Sequence, residues 1–211
     1  MSVPHLAIAA GERAVLLGAS GSGKSTLLSL ICGILAPERG RIVIAGQELT
    51  GLRSHARDRF RAERIGVIFQ QFNLLPFATP LENILLPLSF APERRRRLAS
   101  PRDAALSLAR ALDLPEQAVC HAPAAELSVG QQQRVAVARA LIGSPDVIIA
   151  DEPTSALDAD AQANFLDLLF DQTAAAGATL LMVTHDPRLT ERFDRVIRLD
   201  EIAQISRRAA A

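Results

Sequence analysis

The run Gly18-Ala19-Ser20-Gly21-Ser22-Gly23-Lys24-Ser25 fits the pattern G-x-x-x-x-G-K-[ST]. The chemistry open to such a run is the binding of a polyphosphate. Glycines let successive backbone N–H groups turn inward around phosphate oxygens. A helix that starts at the end of the run adds the positive end of its dipole. Lys24 then reaches the terminal phosphates as a point charge, and the Ser25 hydroxyl is suited to ligate Mg²⁺. Thr26 completes the set of loop residues expected around the phosphates. Of the 23 basic residues only Lys24 is a lysine, in a chain that otherwise uses arginine throughout. A compact ammonium on a flexible stem is not replaced by a planar fork, so position 24 is expected to need that chemistry.

A second cluster follows far along the chain. Asp146-Val147-Ile148-Ile149-Ala150-Asp151-Glu152 is an apolar run that ends in two carboxylates. Asp151 is placed to hold Mg²⁺, and Glu152 to act as base or positioner for a water attacking a terminal phosphate.

The elements that must position these groups read as α/β. Apolar runs rich in β-branched residues alternate with helical patterns, which implies a mostly parallel sheet flanked by helices. Strands are expected at Arg13–Leu17, Arg41–Ala45 (followed by a Gly46 turn), Ile65–Phe69, Val147–Ala150, Thr179–Val183 and Arg195–Leu199, and helices at Ser25–Leu35, Pro101–Leu112 and Gln131–Leu141. In open parallel sheets ligands sit beyond the carboxyl ends of the strands. Four of the expected strands end at Gly18, Gln70, Asp151-Glu152 and His185, each a group suited to phosphate, metal or water.

From Phe72 to Glu126 the strand signal disappears and prolines punctuate helical patterns, which reads as an inserted α-helical subdomain. The run Glu93–Arg97 reads as a solvated helix face or loop. The five arginines from Arg53 to Arg64, interleaved with Asp58 and Glu63, read as a solvated helix. Phe72, Leu74, Leu75 and Phe77 are too apolar for a purely solvated loop, and Arg207–Ala211 reads as a frayed tail.

Composition narrows the class. The chain has 211 residues, 49% of them hydrophobic, with 23 basic and 23 acidic side chains. Zero net charge supplies no global field for nucleic acid. Two cysteines without a C-x-x-C spacing form no disulfide framework, which fits a reducing compartment. No apolar run reaches the ~18 residues of a membrane span, and the start lacks the pattern of a secretory signal. The expectation is a soluble intracellular protein with no direct membrane insertion.

Four runs complete the constellation: Gln70 within Ile68-Phe69-Gln70-Gln71-Phe72-Asn73-Leu74-Leu75-Pro76, the octapeptide Leu127-Ser128-Val129-Gly130-Gln131-Gln132-Gln133-Arg134, Asp151-Glu152-Pro153-Thr154 continuing into Ser155-Ala156-Leu157-Asp158, and Thr184-His185-Asp186. In order and spacing these resemble the ATP-binding subunit of ABC transporters over nearly the whole chain. The Phe-Asn-Leu-Leu-Pro stretch is similar to the lipoprotein-releasing and macrolide-exporter group.

That resemblance implies a P-loop NTPase fold. It is a single domain in which residues 1–71 and 127–211 form a RecA-like core and 72–126 the helical subdomain and docking loop. It also implies roles. Gly18 through Thr26 would bind ATP. Ser25, Gln70 and Asp151 would surround Mg²⁺, Glu152 would polarise the attacking water, and His185 would contact the γ-phosphate. Ser128, Gly130 and Gln131 would meet the ATP of a second ATP-binding subunit, with Asp158 across the dimer interface. Two subunits would pair head to tail around two ATP molecules, and an integral membrane permease would anchor them at the cytoplasmic face of the inner membrane.

The sequence departs from the family pattern twice. Val129 stands where the signature usually has glycine, and a β-branched residue disfavours positive φ and adds bulk near a nucleotide. The family usually carries two N-terminal antiparallel strands and an adenine-stacking aromatic ahead of the first strand seen here. This sequence has no Tyr or Trp and its first Phe is Phe60, so those strands read as truncated: the favoured expectation is an upstream start, the alternative a short form with weaker and less base-selective nucleotide binding. Two other functions compete with this one. A translation or DNA-repair ATPase would need a tandem domain or a coiled-coil or zinc insertion, and neither is present. A nucleotide-binding regulatory module without turnover stays open at this point, favoured by Val129 and the short start and opposed by Glu152 and His185.

Overall fold

The computed structural model describes residues 1–155 and 157–204; Ala156 and the expected C-terminal tail lie outside the described residues. Five parallel strands form the central sheet: β1 (Arg13–Leu17), β4 (Ile65–Ile68), β5 (Val147–Asp151), β6 (Thr179–Thr184) and β7 (Arg195–Arg198), in the spatial order β4-β5-β6-β1-β7. Two short strands, β2 (Val43–Ile44) and β3 (Gln47–Glu48), pair antiparallel as a hairpin. Its turn places Ala45 and Gly46 at φ 47° and 76°, the paired positive values that a two-residue hairpin turn needs.

Strand residues alternate faces, and the core divides accordingly. Val15, Ile148, Ala150, Leu180 and Met182 face one apolar layer, with α7 (Val129–Leu141) and α8 (Ala159–Ala175). Ala14, Leu16, Ile149, Leu181 and Val183 face the other, with α1 (Lys24–Ile31) and α9 (Leu199–Ile202). Period-2 alternation on a sheet covered on both sides is what the uninterrupted apolar runs require. The residues from Phe72 to Glu126 contain α3 (Pro80–Leu85), α4 (Pro92–Arg96), α5 (Pro101–Ala111) and α6 (Glu116–His121) and no strand. Thr79 and Glu82 form a reciprocal capping box at the start of α3, and Ser100 caps α5. Ile84, Leu88, Leu112 and Val119 join this segment to the larger core layer.

Several expectations are corrected. The first helix closes at Ile31, short of Leu35, because Gly33 turns the chain at φ 66°. The strand expected at Arg41–Ala45 contracts to Val43–Ile44. The last strand stops at Arg198, since Leu199 already opens α9. The helix expected from Gln131 begins at Val129. The solvated reading of Glu93–Arg97 fails at Arg94, which is 1% exposed. In α2 (Ser54–Arg64) it fails at Glu63, which is buried beneath Glu93 and Arg94 and accepts both backbone N–H groups at 2.9 Å. Phe72 is core, while Phe77 is 80% exposed.

One close approach fixes the distance between sheet and helix. A Cβ on Gly66 in β4 would lie 2.2 Å from the carbonyl oxygen of Ala140 in α7. Backbone cannot yield there as a side-chain tip can. Gly66→Ala is expected to lower stability by about 2–3 kcal/mol, or roughly 5–10 °C in melting temperature for a chain of this size. Thermal unfolding followed by circular dichroism checks it; an unchanged midpoint would show that α7 is free to shift.

Candidate functional site

Strand β1 delivers the chain into Gly18, and the loop wraps back to α1 at Lys24. Gly21 and Gly23 sit at φ 74° and 93°, left-handed values that glycine adopts without strain. Gly23 is the N-cap of α1 and offers no capping side chain. The N–H groups of the first turn are therefore not claimed by a cap. Lys24 is 7% exposed and its Nζ donates to the carbonyls of Gly18 and Ala19 at 2.8 and 3.0 Å. Ser22 Oγ is buried with no hydrogen-bond partner among the described residues.

Strands β4 and β5 bring the other groups to the same end of the sheet. A cavity of about 480 Å³ is lined by Ser20, Gly21, Gly23, Lys24, Ser25, Thr26, Gln70, Asp151 and Glu152. Glu152 follows β5 directly, and its backbone is left-handed at φ 45°. Such a conformation is uncommon away from glycine and concentrates at functional sites. Its carboxylate lies 3.3 Å from Lys24 Nζ and 3.1 Å from His185 Nδ1. His185 follows β6 and lines an adjoining cavity of about 200 Å³ together with Glu152, Ser155 and Asp186. Burial in the cavity raises the Asp151 carboxyl above its usual range, the Glu152 charge adds to this, and Lys24 opposes it. The Gln70 amide donates to Ser155 Oγ at 3.3 Å.

The donor set suits a nucleoside triphosphate with Mg²⁺. One lysine and a glycine-bearing loop at the start of α1 face the same space. A hydroxyl, an amide oxygen and a carboxylate, from Ser25, Gln70 and Asp151, are hard oxygen ligands that leave room for phosphate oxygens on Mg²⁺.

Other expected site residues are not in this cavity. Ser128 caps α7, accepting from Gln131 N at 3.3 Å while Gln131 Oε1 accepts from Ser128 N at 3.0 Å. Neither they nor Gly130 lines either cavity. Val129 is the first residue of α7 and is absent from the positive-φ positions, so the strain expected there does not arise. Its side chain is exposed. Asp158 caps α8 through Ala161 N at 2.8 Å. Sequence reasoning missed the supports behind the site. Gln133 of α7 donates to the carbonyl of Pro153 at 2.9 Å, and Arg139 of α7 donates to the carbonyls of Phe72 and Asn73. An arginine in an otherwise apolar helix face, Val135-Ala136-Val137-Ala138-Arg139-Ala140-Leu141, was the available signal.

The comparisons agree with this geometry. The family profile described as ABC transporter matches residues 2–155. An uncharacterised ABC transporter ATP-binding protein of Mycobacterium tuberculosis is 44% identical over 189 residues, covering 90% of this chain and 74% of the relative. The lipoprotein-releasing system ATP-binding protein LolD of Anaeromyxobacter dehalogenans is 45% identical over 194 residues, covering 92% and 80%. The dimeric structure of the ABC transporter cassette MJ0796 superposes with a TM-score of 0.76 at 38% identity, covering 92% of this chain and 83% of that one. The same cassette is known in a dimeric post-hydrolysis state bound to ADP and Pi, with the same match.

Proposed function

The chain belongs to the ABC transporter family of ATP-binding subunits and is an ATPase, and on that premise we propose that two copies close head to tail around two Mg²⁺-ATP and drive a separate membrane permease. The observation that carries this reading is the division of the site. Lys24, Ser25, Gln70, Asp151 and Glu152 share one cavity, while Ser128 and Gly130 line neither that cavity nor the adjoining one. A second copy would bring its α7 N-terminus to the γ-phosphate, where helix-end N–H groups bind anions.

Within the site Gly21 through Thr26 wrap the phosphates, and Lys24 exchanges its carbonyl partners for β- and γ-phosphate oxygens. Ser25, Gln70 and Asp151 hold Mg²⁺, which when bound offsets the charge shared by the β- and γ-phosphates. Glu152 positions and polarises the water that attacks the γ-phosphorus in line with the departing ADP oxygen. His185, hydrogen-bonded to Glu152, fixes that carboxylate and reaches the γ-phosphate. Asp158 lies toward the partner. The helical start of Val129 answers the positive-φ concern at that position, and Glu152 and His185 favour turnover over binding alone.

The permease is of the export or lipoprotein-release type, by likeness to the LolD relatives. The subunit works at the cytoplasmic face of the membrane through that permease. Among the described residues no helix is long and apolar enough to cross a membrane. The Gln70–Pro80 segment and the helical insert form the docking face, where Phe77 and Phe90 are 80% and 67% exposed.

Hydrolysis measured against protein concentration tests the divided site. Activity per chain is expected to rise with concentration toward a plateau, as a two-chain site demands. A rate per chain that is flat across the dilution series, in a sample that stays monomeric by light scattering with Mg²⁺-ATP present, would overturn the dimeric reading.

A further inference from the structure

The segment that carries Gln70 is held from two sides. Upstream it leaves β4 at Ile68. Downstream it turns through Phe72 and Asn73, at φ 57° and 48°. Both are left-handed; asparagine tolerates that conformation comparatively well, but phenylalanine does not, so the bend at Phe72 costs free energy that other contacts must offset. Phe72 is buried and supplies part of that; Asn73 is exposed and supplies little.

Backbone bonds from Phe72 N to Phe69 O at 3.0 Å and from Asn73 N to Gln71 O at 2.6 Å close the turn, and side-chain support comes from α7. Arg139 is 7% exposed, and its Nη1 donates to the carbonyl of Asn73 at 2.6 Å while Nη2 donates to the carbonyl of Phe72. Among the described residues it makes no ion pair. Burial lowers the pKa of its guanidinium. A buried cation with only two carbonyl partners is poorly explained by stability alone, because burying a charge is costly. It is well explained by geometry: the planar fork spans two adjacent carbonyls that a point charge would not hold in one orientation.

We propose that Arg139 is a positioning residue for Gln70, locking the left-handed bend at Phe72-Asn73 and thereby the reach of the Gln70 amide into the nucleotide cavity. The inference rests on the role given to Gln70 above. Its consequence is specific. Loosening the clamp should disturb what Gln70 does at the metal and the attacking water, and leave the phosphate loop, which is built on β1 and α1, as it was.

The test is hydrolysis by the full chain at saturating protein and ATP, titrated with Mg²⁺, for the wild type, Arg139→Lys, Gln70→Ala and the double variant. Binding of a fluorescent ATP analogue in EDTA is measured alongside. Arg139→Lys keeps the charge and loses the fork. It is expected to lower kcat about tenfold, the scale of a sub-ångström misplacement, and to need several-fold more Mg²⁺ for half-maximal rate. Metal-free analogue binding should stay within about twofold of wild type. In the Gln70→Ala background the same substitution should add less than about twofold, since coupled residues do not act additively.

Asn73→Val probes the same bend from its exposed side without touching the core. A β-branched residue resists positive φ, so it should show the same Mg²⁺ shift and the same loss of effect beside Gln70→Ala. Equal effects with and without Gln70, or a fall in metal-free nucleotide binding that matches the fall in rate, would overturn the proposal in favour of a general loss of structure. So would Asn73→Val and Arg139→Lys chains that both titrate with Mg²⁺ as the wild type does. A Gln70→Ala chain with wild-type turnover would remove the Gln70 role itself, and the clamp with it.

Discussion

Replacing Glu152 by Gln is expected to lower ATP turnover by about 10²- to 10⁴-fold, the usual contribution of a positioned general base, while nucleotide binding persists. The amide has nearly the shape of the carboxylate, so the left-handed backbone at φ 45° and the hydrogen bond toward His185 at 3.1 Å should survive. What disappears is the charge. The carboxylate lies 3.3 Å from Lys24 Nζ, with only 18% of its side chain exposed. Without that anion Lys24 loses a competitor for the phosphates, so ATP affinity should hold or rise. The attacking water loses its acceptor at the same time. The variant should therefore accumulate with ATP bound, and a dimer too slow to hydrolyse should persist through gel filtration in Mg²⁺-ATP. Single-turnover kinetics and elution volume report the two halves of this expectation. A variant that keeps a tenth or more of the wild-type rate would mean that another group positions the water. Lys24→Ala is the contrasting control, since it should weaken nucleotide binding itself.

How much of this was legible beforehand depended on the range of the interaction that decides each residue. The runs at Arg13–Leu17, Ile65–Ile68, Val147–Asp151 and Thr179–Thr184 were readable to within a residue because their burial on both faces of a parallel sheet writes itself locally as unbroken apolar sequence. Their polar termini pointed to a shared end, and the cavity there gathers Lys24, Ser25, Gln70, Asp151 and Glu152. Local chemistry also misled. Val129 looked strained because glycine, which tolerates positive φ, usually stands at that place in the signature; the chain is already helical there, and valine meets no positive φ. The positive φ values of Phe72 and Glu152 had no local signal, since neither is glycine or asparagine; tertiary contacts impose them. Arg94 and Arg139 are the clearest cases. Arg94, set among other charges, reads as solvated until two distant helix ends are seen to need its donors, and Arg139, set in an apolar run, has no evident task until the Phe72–Asn73 bend is seen against it.

Arg94 carries the second large prediction. Helix α7 ends at Leu141 and α2 at Arg64, and a helix end leaves carbonyls without intrahelical donors. Arg94 meets both ends. Its Nη2 donates to the carbonyls of Ala140, at 3.2 Å, and Ile142; its Nε donates to Ile142 at 3.0 Å, and its Nη1 to Ala62 at 3.1 Å. Burial brings its pKa down to about 10, and Glu63 opposes that shift, so the guanidinium remains a cation at neutral pH. It is then a cation at the negative ends of two helix dipoles.

Arg94→Met fills much of the same volume but strands those carbonyls and leaves the buried Glu63 carboxylate without its cation. Removing one partner of a buried charged set costs about 3–5 kcal/mol, which corresponds to roughly 6–20 °C in melting temperature for a chain of this size. The second change, Glu63→Gln on top of Arg94→Met, should restore part of the loss, because an apolar replacement is costly mainly through the charge it leaves behind. Arg94 lines neither cavity, so at temperatures where Arg94→Met is fully folded its Mg²⁺ requirement should match the wild type. Thermal melts of the single and double variants decide the matter. A midpoint within about 2 °C of wild type for Arg94→Met, less than ~1 kcal/mol, would mean that water or backbone shifts satisfy the α7 and α2 carbonyls without it.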